Sequence, residues 1–369
     1  VRVTRLRLRD FRSYGVADVV FGERLTVVHG RNGAGKTNLL EALYLGCTGR
    51  SCRTANEREL VRFGAPATRV VVDLEDGRTG PHELTVAIAP GESKRLLADG
   101  AAVQRLVDVP TRPLVSVFLP DRLELVKGAP ALRRAHVDAL IAALWPTRAS
   151  TRRDYAHALA QRNALLLRVR AGHAGHASLR VWDLELARHG VALRDDRAEA
   201  VALLVESFSA HADALGLAGA SELRYRPRSA AATADELAGE LGERVDSDLQ
   251  RGFTGHGPHR DELVLARDGR ELRAYGSQGE QRLALLALLL AERDAIGARR
   301  DHAPLMLLDD VMSELDHERR ERLAAELATG VGQAVITTTD PGLVPVAAGI
   351  SATQLAVAGG SVLSQAAAA

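Results

Sequence analysis

Residues 30 to 37 read G-R-N-G-A-G-K-T, and this octapeptide restricts the fold more than any other stretch of the chain. It satisfies G-x-x-x-x-G-K-[ST], a loop that belongs between a buried strand and a helix. Leu25 to His29 supplies an apolar strand ahead of it, and Asn38 to Leu45 continues behind it as a helix. The glycines let backbone N–H groups turn inward around phosphate oxygens, and the positive end of the following helix points at the same place. Gly30, Arg31, Asn32, Gly33, Ala34, Gly35, Lys36 and Thr37 are therefore the candidate nucleotide-binding residues. Lys36 is expected to neutralise the β and γ phosphates, and the Thr37 hydroxyl to hold Mg²⁺. The bland alternative is a Gly-rich turn without a ligand. Lysine is scarce, with only Lys36, Lys94 and Lys127 among 48 basic residues. Where it survives, a compact ammonium is the property that arginine cannot replace.

A second constraint lies far downstream. Pro304 to Asp310 places four apolar residues ahead of two carboxylates. Alone this is a polar strand end. Beside a phosphate loop, Asp309 is expected to accept hydrogen bonds from Mg²⁺-bound water, and Asp310 to orient or deprotonate an attacking water. Aspartate is one methylene shorter than the glutamate common at that second place, so hydrolysis is expected to be slow, below about 10 per second. Ser277-Gln278-Gly279-Glu280 fits the capping box S-x-x-E, which by itself means a helix start. Yet Gly279 in the first turn costs about 1 kcal/mol of helix propensity. A glycine there also permits close approach of a phosphate, so the same residues read as a γ-phosphate sensor at a helix N-terminus. Ser313-Glu314-Leu315-Asp316 reads as a cap on a helix over 317–328, as part of a dimer seam, or as both.

The rest of the chain places these motifs. Residues 1–8 alternate as a half-exposed strand does, and 69–75 with 83–89 form a predicted hairpin. Pro113 to Phe118 reads as a further strand. From Ala131 to Leu249 the pattern is mostly helical, and it is too short in heptads for a long coiled coil. Strands are expected again at 262–266 and 271–275, joined by Asp268-Gly269. Leu283 to Ile296 reads as a helix, and Leu305–Leu308 and Ala334–Thr338 as buried strands. The expected fold class is α/β: a head built from residues 1–118 and 253–369, with a mainly helical lobe at 119–252 inserted.

Composition excludes several classes. Net charge is +1, so no global basicity announces nucleic acid. Cys47 and Cys52 are too few for a disulfide framework and are expected as reduced thiols. The longest apolar run, Leu283 to Ala291, is too short to span a bilayer. No export signal opens the chain, so a cytoplasmic protein is expected. His256, His259 and His302 lack ligand spacing, and no further metal cluster is assigned; His259-Arg260-Asp261 reads as a structural turn.

At this point a resemblance emerges. The phosphate loop, S-Q-G-E-Q-R (277–282), L-L-D-D-V-M-S-E-L-D (307–316) and D-F-R-S-Y (10–14) resemble the ABC-type ATPase heads of chromosome maintenance. F-L-P-D-R-L-E-L-V-K-G-A-P-A-L-R-R (118–134) and G-P-H-R-D-E-L (257–263) are similar to segments of the RecF family, over nearly the whole chain. The resemblance implies an ABC-type P-loop ATPase head with a mixed sheet, and ATP and Mg²⁺ as cofactors. It implies weak hydrolysis used as a switch, a homodimer closed by ATP, and no membrane. It further implies binding to gapped DNA or single-/double-strand junctions, and partnership with RecO and RecR in loading recombinase during gap repair, with links to replication and the SOS response. By position, Asp309 would serve Mg²⁺ and Asp310 catalysis. Ser277, Gln278, Gly279, Glu280 and Gln281 would face the partner's ATP, and Arg12 and Ser13 would touch the nucleotide. Two places depart from the wider ABC pattern. Leu119-Pro120-Asp121 stands where transporter ATPases carry a glutamine, and Thr337-Thr338-Thr339-Asp340 where a histidine follows the last core strand.

Aromatics are only 4%, which argues against base stacking as the main mode of DNA binding. Arginines Arg133, Arg134, Arg148, Arg152, Arg153, Arg162, Arg168 and Arg170 crowd the inserted lobe. They read either as a solvated helix face or as phosphate contacts, with Arg152 and Arg153 the chosen candidates. The competing classes are the ATPase subunit of an ABC transporter and an SMC-like chromosome-organising ATPase. The latter would need coiled-coil arms.

Overall fold

The computed structural model describes residues 1–300, 302–313, 315–345 and 352–367. It divides into two units: Val1–Arg122 with Ile296–Ala369, and Leu123–Ala295. The first unit opens with strands β1 (Arg2–Phe11), β2 (Tyr14–Val20) and β3 (Leu25–His29), then helix α1 (Lys36–Thr48). Strands β4 (Thr68–Asp76), β5 (Gly80–Ile88), β6 (Arg95–Ala98), β7 (Ala101–Ala102) and β8 (Val115–Phe118) follow. The second unit holds helices α2 (Glu124–Lys127), α3 (Pro130–Leu144), α4 (Thr151–Arg170), α5 (Leu179–Ala202) and α6 (Val205–Ala214), strand β9 (Ser221–Arg226), and helices α7 (Ala234–Glu243) and α8 (Val245–Arg251). It continues through β10 (Glu262–Arg267), β11 (Arg270–Glu271) and α9 (Leu272–Tyr275) into α10 (Gln278–Arg300). The chain then returns to the first unit as β12 (Leu305–Leu308), α11 (His317–Thr329), β13 (Ala334–Thr338), β14 (Ala352–Ala358) and β15 (Ser361–Ala367).

Among the described residues the first unit has two six-stranded sheets. One is antiparallel throughout, in the order β2-β1-β4-β5-β6-β7. In β1, Val3, Leu6, Leu8 and Phe11 are all buried although Val3 and Leu6 differ in parity. The register against β4 shifts between Val3 and Arg5, and such an irregularity turns the strand so that both residues reach one core. The other sheet is mixed, in the order β15-β14-β3-β13-β12-β8. Its strands from β14 to β8 run parallel, and β15 is an antiparallel edge. Sheets of this kind bury both faces, which explains the apolar run Leu305–Leu308 and the buried run Leu25–Val28, whose one polar residue, Thr26, accepts from the Gly22 N–H at 2.9 Å.

Helix α1 packs in the core formed with both sheets, burying Leu39, Leu40, Leu43 and Leu45. Each such leucine contributes roughly 1.5–3 kcal/mol. A Cβ on Gly46 would lie 2.3 Å from Val72 Cγ2, so only glycine lets the helix approach β4 so closely. This packing fixes the helix whose N-terminus closes the phosphate loop.

The second unit differs from a purely helical lobe. Ser221–Arg226 is a strand pairing antiparallel with β10, and the chain returns to the first unit only at Ile296 rather than at 253. The pairing holds 253–295 to the lobe that precedes it. In β9, Leu223 is buried between the half-buried Glu222 and the exposed Arg224, an alternation too short to stand out between two turn signals. The strand expected over 271–275 stops at Glu271 and becomes α9, because Gln281 Nε2 donates to Leu272 O (2.9 Å) and Gly276 O (3.1 Å) and draws those carbonyls away from any ladder. Among the described residues no helix is long and apolar enough to cross a membrane, and Cys47 and Cys52 are free thiols.

The second unit is cross-tied by polar groups. His259 lies 2.7 Å from the Tyr155 hydroxyl and 2.9 Å from Thr254 O, so the expected structural turn is a half-buried tie. Burial pushes the His259 imidazole down to about 4, against 6.5 for the ordinary group. The unfolded chain therefore binds the extra proton between these values, and stability falls as pH drops through that window, by up to about 3 kcal/mol. Comparing urea unfolding of wild type and His259→Asn from pH 7 to 4.5, the wild type is expected to lose more stability on acidification. Parallel profiles would refute this.

Candidate functional site

Gly30, Gly35 and Lys36 of the phosphate loop are shaped by their neighbours. Gly30 has φ 156°, and a Cβ there would meet Val357 O at 2.1 Å. Gly35 has φ 113°, with Ser13 Oγ at 3.0 Å and Tyr14 Oη at 3.1 Å from the position of a Cβ. The buried Tyr14 hydroxyl donates to Gly35 O at 3.0 Å, and burial raises its pKa, keeping that proton in place. Lys36 is 7% exposed, and its Nζ donates to Gly30 O (2.7 Å) and Arg31 O (3.2 Å). An ammonium has three donors, so the loop's own carbonyls position the charge and leave one donor to reach a ligand.

The acidic strand end meets this loop. Thr37 Oγ1 lies 2.8 Å from Asp309 Oδ2 and 3.1 Å from Asp309 Oδ1, across 272 residues of sequence. Parallel pairing of β12 with β8 and β13 brings Asp309 there, and its N–H donates to Phe118 O at 2.9 Å. Thr337 on β13 locks the pair: its hydroxyl donates to Asp309 Oδ1 (2.6 Å) and accepts from the Asp310 N–H (2.9 Å). Asp310 has φ 49°, a conformation uncommon outside glycine. A cleft of the first unit is lined by Asn32, Lys36, Thr37, Arg53, Asp309 and Asp310, among others. Its adjacent hydroxyl and carboxylate oxygens are the hard donors that Mg²⁺ takes.

Arg12 and Ser13 are both engaged by side chains of α1. The Arg12 guanidinium makes a two-pronged contact with the buried Glu41 carboxylate, at 2.8 and 3.0 Å, and is not among the described residues of the cleft wall. Ser13 Oγ accepts from Asn38 Nδ2 at 3.0 Å. The arginine that does line the cleft is Arg53, held by Asn38 Oδ1 (3.1 Å) and Glu41 Oε2 (3.2 Å). No motif marked Arg53, since it lies in an irregular loop. Thr337 could have been read from the Thr run ending β13. Of the other departure sites, Thr338 Oγ1 donates to Asp340 O (3.0 Å) and Asp340 Oδ1 accepts from Gly342 N (2.9 Å), a local turn. The side chains of residues 120 and 121 and all of residue 314 lie outside the described residues, while Asp316 caps α11 through Arg319 N at 2.9 Å.

The segment Ser277 to Gln281 belongs to the second unit. Both halves of the capping box form: Glu280 N donates to Ser277 Oγ (3.3 Å), and Ser277 N to Glu280 Oε2 (2.7 Å). That Ser277 N–H, with Arg267 adding, holds the Glu280 carboxyl below its usual range. Gln281 is turned inward, 6% exposed, with its amide spent on Leu272 and Gly276, so it supports the segment instead of projecting from it. Ser277, Gln278 and Gly279 are all exposed. A Cβ on Gly279 would meet nothing within 4 Å, so no contact inside the chain requires glycine there.

The lobe arginines sort by burial. Arg162 and Arg133 are buried structural ties, and Arg148 pairs with Asp196 and Glu199 and lies over Trp145. Arg152 and Arg153 are largely exposed, at 3.2 Å from Asp138 and 3.9 Å from Asp154.

Phosphate loop, acidic strand end and mixed sheet together define an ABC-type P-loop ATPase head. A family model described as AAA domain matches residues 5–87. The DNA replication and repair protein RecF of Anaeromyxobacter sp. (strain Fw109-5) is 40% identical over 373 aligned residues, covering 98% of this chain and 99% of that protein. The protein of the same name from Myxococcus xanthus (strain DK1622) is 37% identical, covering 98% and 97%. The chain therefore belongs to the RecF family. A solved structure of the recombination mediator protein RecF with ATP, from the RecFOR pathway, superposes with a TM-score of 0.85 at 26% identity, over 99% of this chain and 97% of that one. An Smc head bound to the C-winged helix domain of ScpA gives 0.63 at 17% identity over 100% and 98%, a likeness of fold alone.

Proposed function

We propose that this chain is an ATP-gated DNA-binding protein of replication and gap repair, in which nucleotide closes a homodimer and slow hydrolysis reopens it. The observation that carries the reading is the meeting of Thr37 with Asp309 at the mouth of the phosphate loop. Gly30 to Thr37 cradle the phosphates of ATP, and Lys36 gives its remaining donor to them. Thr37 and Asp309 would hold Mg²⁺, which would supply neutralising charge beside the phosphates. Asp310 orients the attacking water, and Arg53 adds positive charge at the cleft wall. The first unit thus holds nucleotide, while the second offers Ser277, Gln278 and Gly279 to the nucleotide of a second copy. Loss of the shared γ-phosphate on hydrolysis removes much of the attraction. DNA junctions, with Arg152 and Arg153 as contacts, and RecO- and RecR-like partners complete the reading, supported by family membership.

Light scattering tests it. ATP with Mg²⁺, but not ADP, is expected to shift the chain from monomer to dimer. Gly279→Gln is expected to abolish that shift while raising stability by roughly 0.5–1 kcal/mol, since it relieves a helix-propensity cost without a clash. Undiminished pairing of this variant would sink the composite site.

A further inference from the structure

The outer face of the antiparallel sheet carries a row of arginines that its own unit does not answer. Register places Val16, Arg9, Arg69, Ala87 and Arg95 side by side across β2, β1, β4, β5 and β6. Leu6 and Leu8 of β1 enter the core, so the alternating Arg5, Arg7 and Arg9 face away from it. Further along the same face the charges balance. Arg7 pairs with Asp73 at 2.6 Å and Glu83 at 2.7 Å, and Arg5 pairs with Asp18. In the first row they do not. Arg9 and Arg69 stand directly opposite one another, both exposed, with no ion pair to either side chain among the described residues. Among the described residues, Arg95 has only the exposed Glu92, at 3.6 Å.

Like charges directly opposed destabilise a sheet, and a cost without internal compensation points to a ligand outside. The neighbouring loop, where Arg62 N donates to Asp10 O at 2.8 Å, adds Arg62 and the fully exposed Phe63. The Arg62 guanidinium lies 3.7 Å from the Asp10 carboxylate, a loose pairing that leaves it half-exposed. We propose that this row docks the phosphate backbone of duplex DNA. Charge complementarity selects a polyanion. At about 4.8 Å per strand, Arg69 and Arg95 stand roughly 10 Å apart, within the span between the phosphate rails flanking a duplex groove. The face offers one aromatic, so it suits backbone contact better than stacked single strands.

The inference rests on the DNA-binding reading above and adds to it a contact on the first unit. Its test is the salt dependence of binding to a gapped duplex by fluorescence anisotropy with ATP and Mg²⁺, comparing wild type, Arg9→Gln/Arg69→Gln and, as a control on the balanced part of the face, Arg5→Gln. The double variant is expected to lower the slope of log affinity against log salt by about two, near 0.9 for each phosphate released, with ATP binding retained. Arg69→Glu alone, which turns the repulsive pair into an attractive one, is expected to raise the unfolding midpoint while weakening DNA binding. An unchanged slope in a double variant that still binds ATP overturns the placement. A wild type that does not hold the duplex overturns the DNA-binding reading with it. A loss confined to single-stranded DNA, or transferred to an acidic protein, also overturns the proposal.

Discussion

Lys36→Ala is expected to lower affinity for ATP about 100-fold, measured by isothermal titration with Mg²⁺. The ammonium is aimed by Gly30 O and Arg31 O, and a charge-assisted hydrogen bond to phosphate contributes roughly 1.5–3 kcal/mol, where each 1.4 kcal/mol is tenfold. The two carbonyls that it leaves belong to half-buried and exposed loop residues and regain water, so the fold should persist, as circular dichroism would report. Lys36→Arg should rescue little. The guanidinium is a rigid fork too large for a pocket that encloses a point charge. Affinity within about threefold of wild type in the alanine variant would remove Lys36 from the phosphate site.

Arg162→Leu has the largest expected effect on stability, a loss of about 3–5 kcal/mol. Arg162 is fully buried and donates to Asp183 Oδ1 (2.7 Å), Asp248 Oδ2 (2.6 Å) and Thr254 Oγ1 (2.8 Å). Removing it strands two buried carboxylates. For a unit of this size the thermal midpoint should drop by roughly 10 °C, at about 2–4 °C per kcal/mol. Adding Asp183→Asn and Asp248→Asn should restore part of the loss, because neutral amides no longer need the cation. Equal stability of Arg162→Leu and wild type in calorimetry would contradict this account.

The legible parts of this protein are those where one short segment carries its own geometry. Leu25–His29 and Leu305–Leu308 are readable as buried strands because a parallel sheet covered on both faces demands mostly apolar residues, with Thr26 the one polar residue in the buried part of the first. The phosphate loop is readable because its glycines, lysine and threonine act through local backbone turns. The capping box at Ser277 is readable for the same reason, and both of its hydrogen bonds form. The less legible parts depend on partners distant in sequence. Ser221–Arg226 is a strand because β10 pairs with it. Gln281 has the spacing to project from its helix, yet turns in to satisfy Leu272 and Gly276.

Arg12 and Arg53 mark the same limit within the candidate site. Both could reach a nucleotide on charge alone. The buried Glu41 on α1 binds Arg12 through two hydrogen bonds and Arg53 through one, and it is the path of the loop after α1 that leaves Arg53 on the cleft wall. By itself the sequence determined the kind of fold, the phosphate loop and the acidic strand end, since strand burial, backbone turning and helix capping are short-range properties. Tertiary structure alone decided that Thr37 faces Asp309, that Thr337 holds both aspartates, and that Arg9 confronts Arg69, because these contacts come from strand order and register, which no single segment contains.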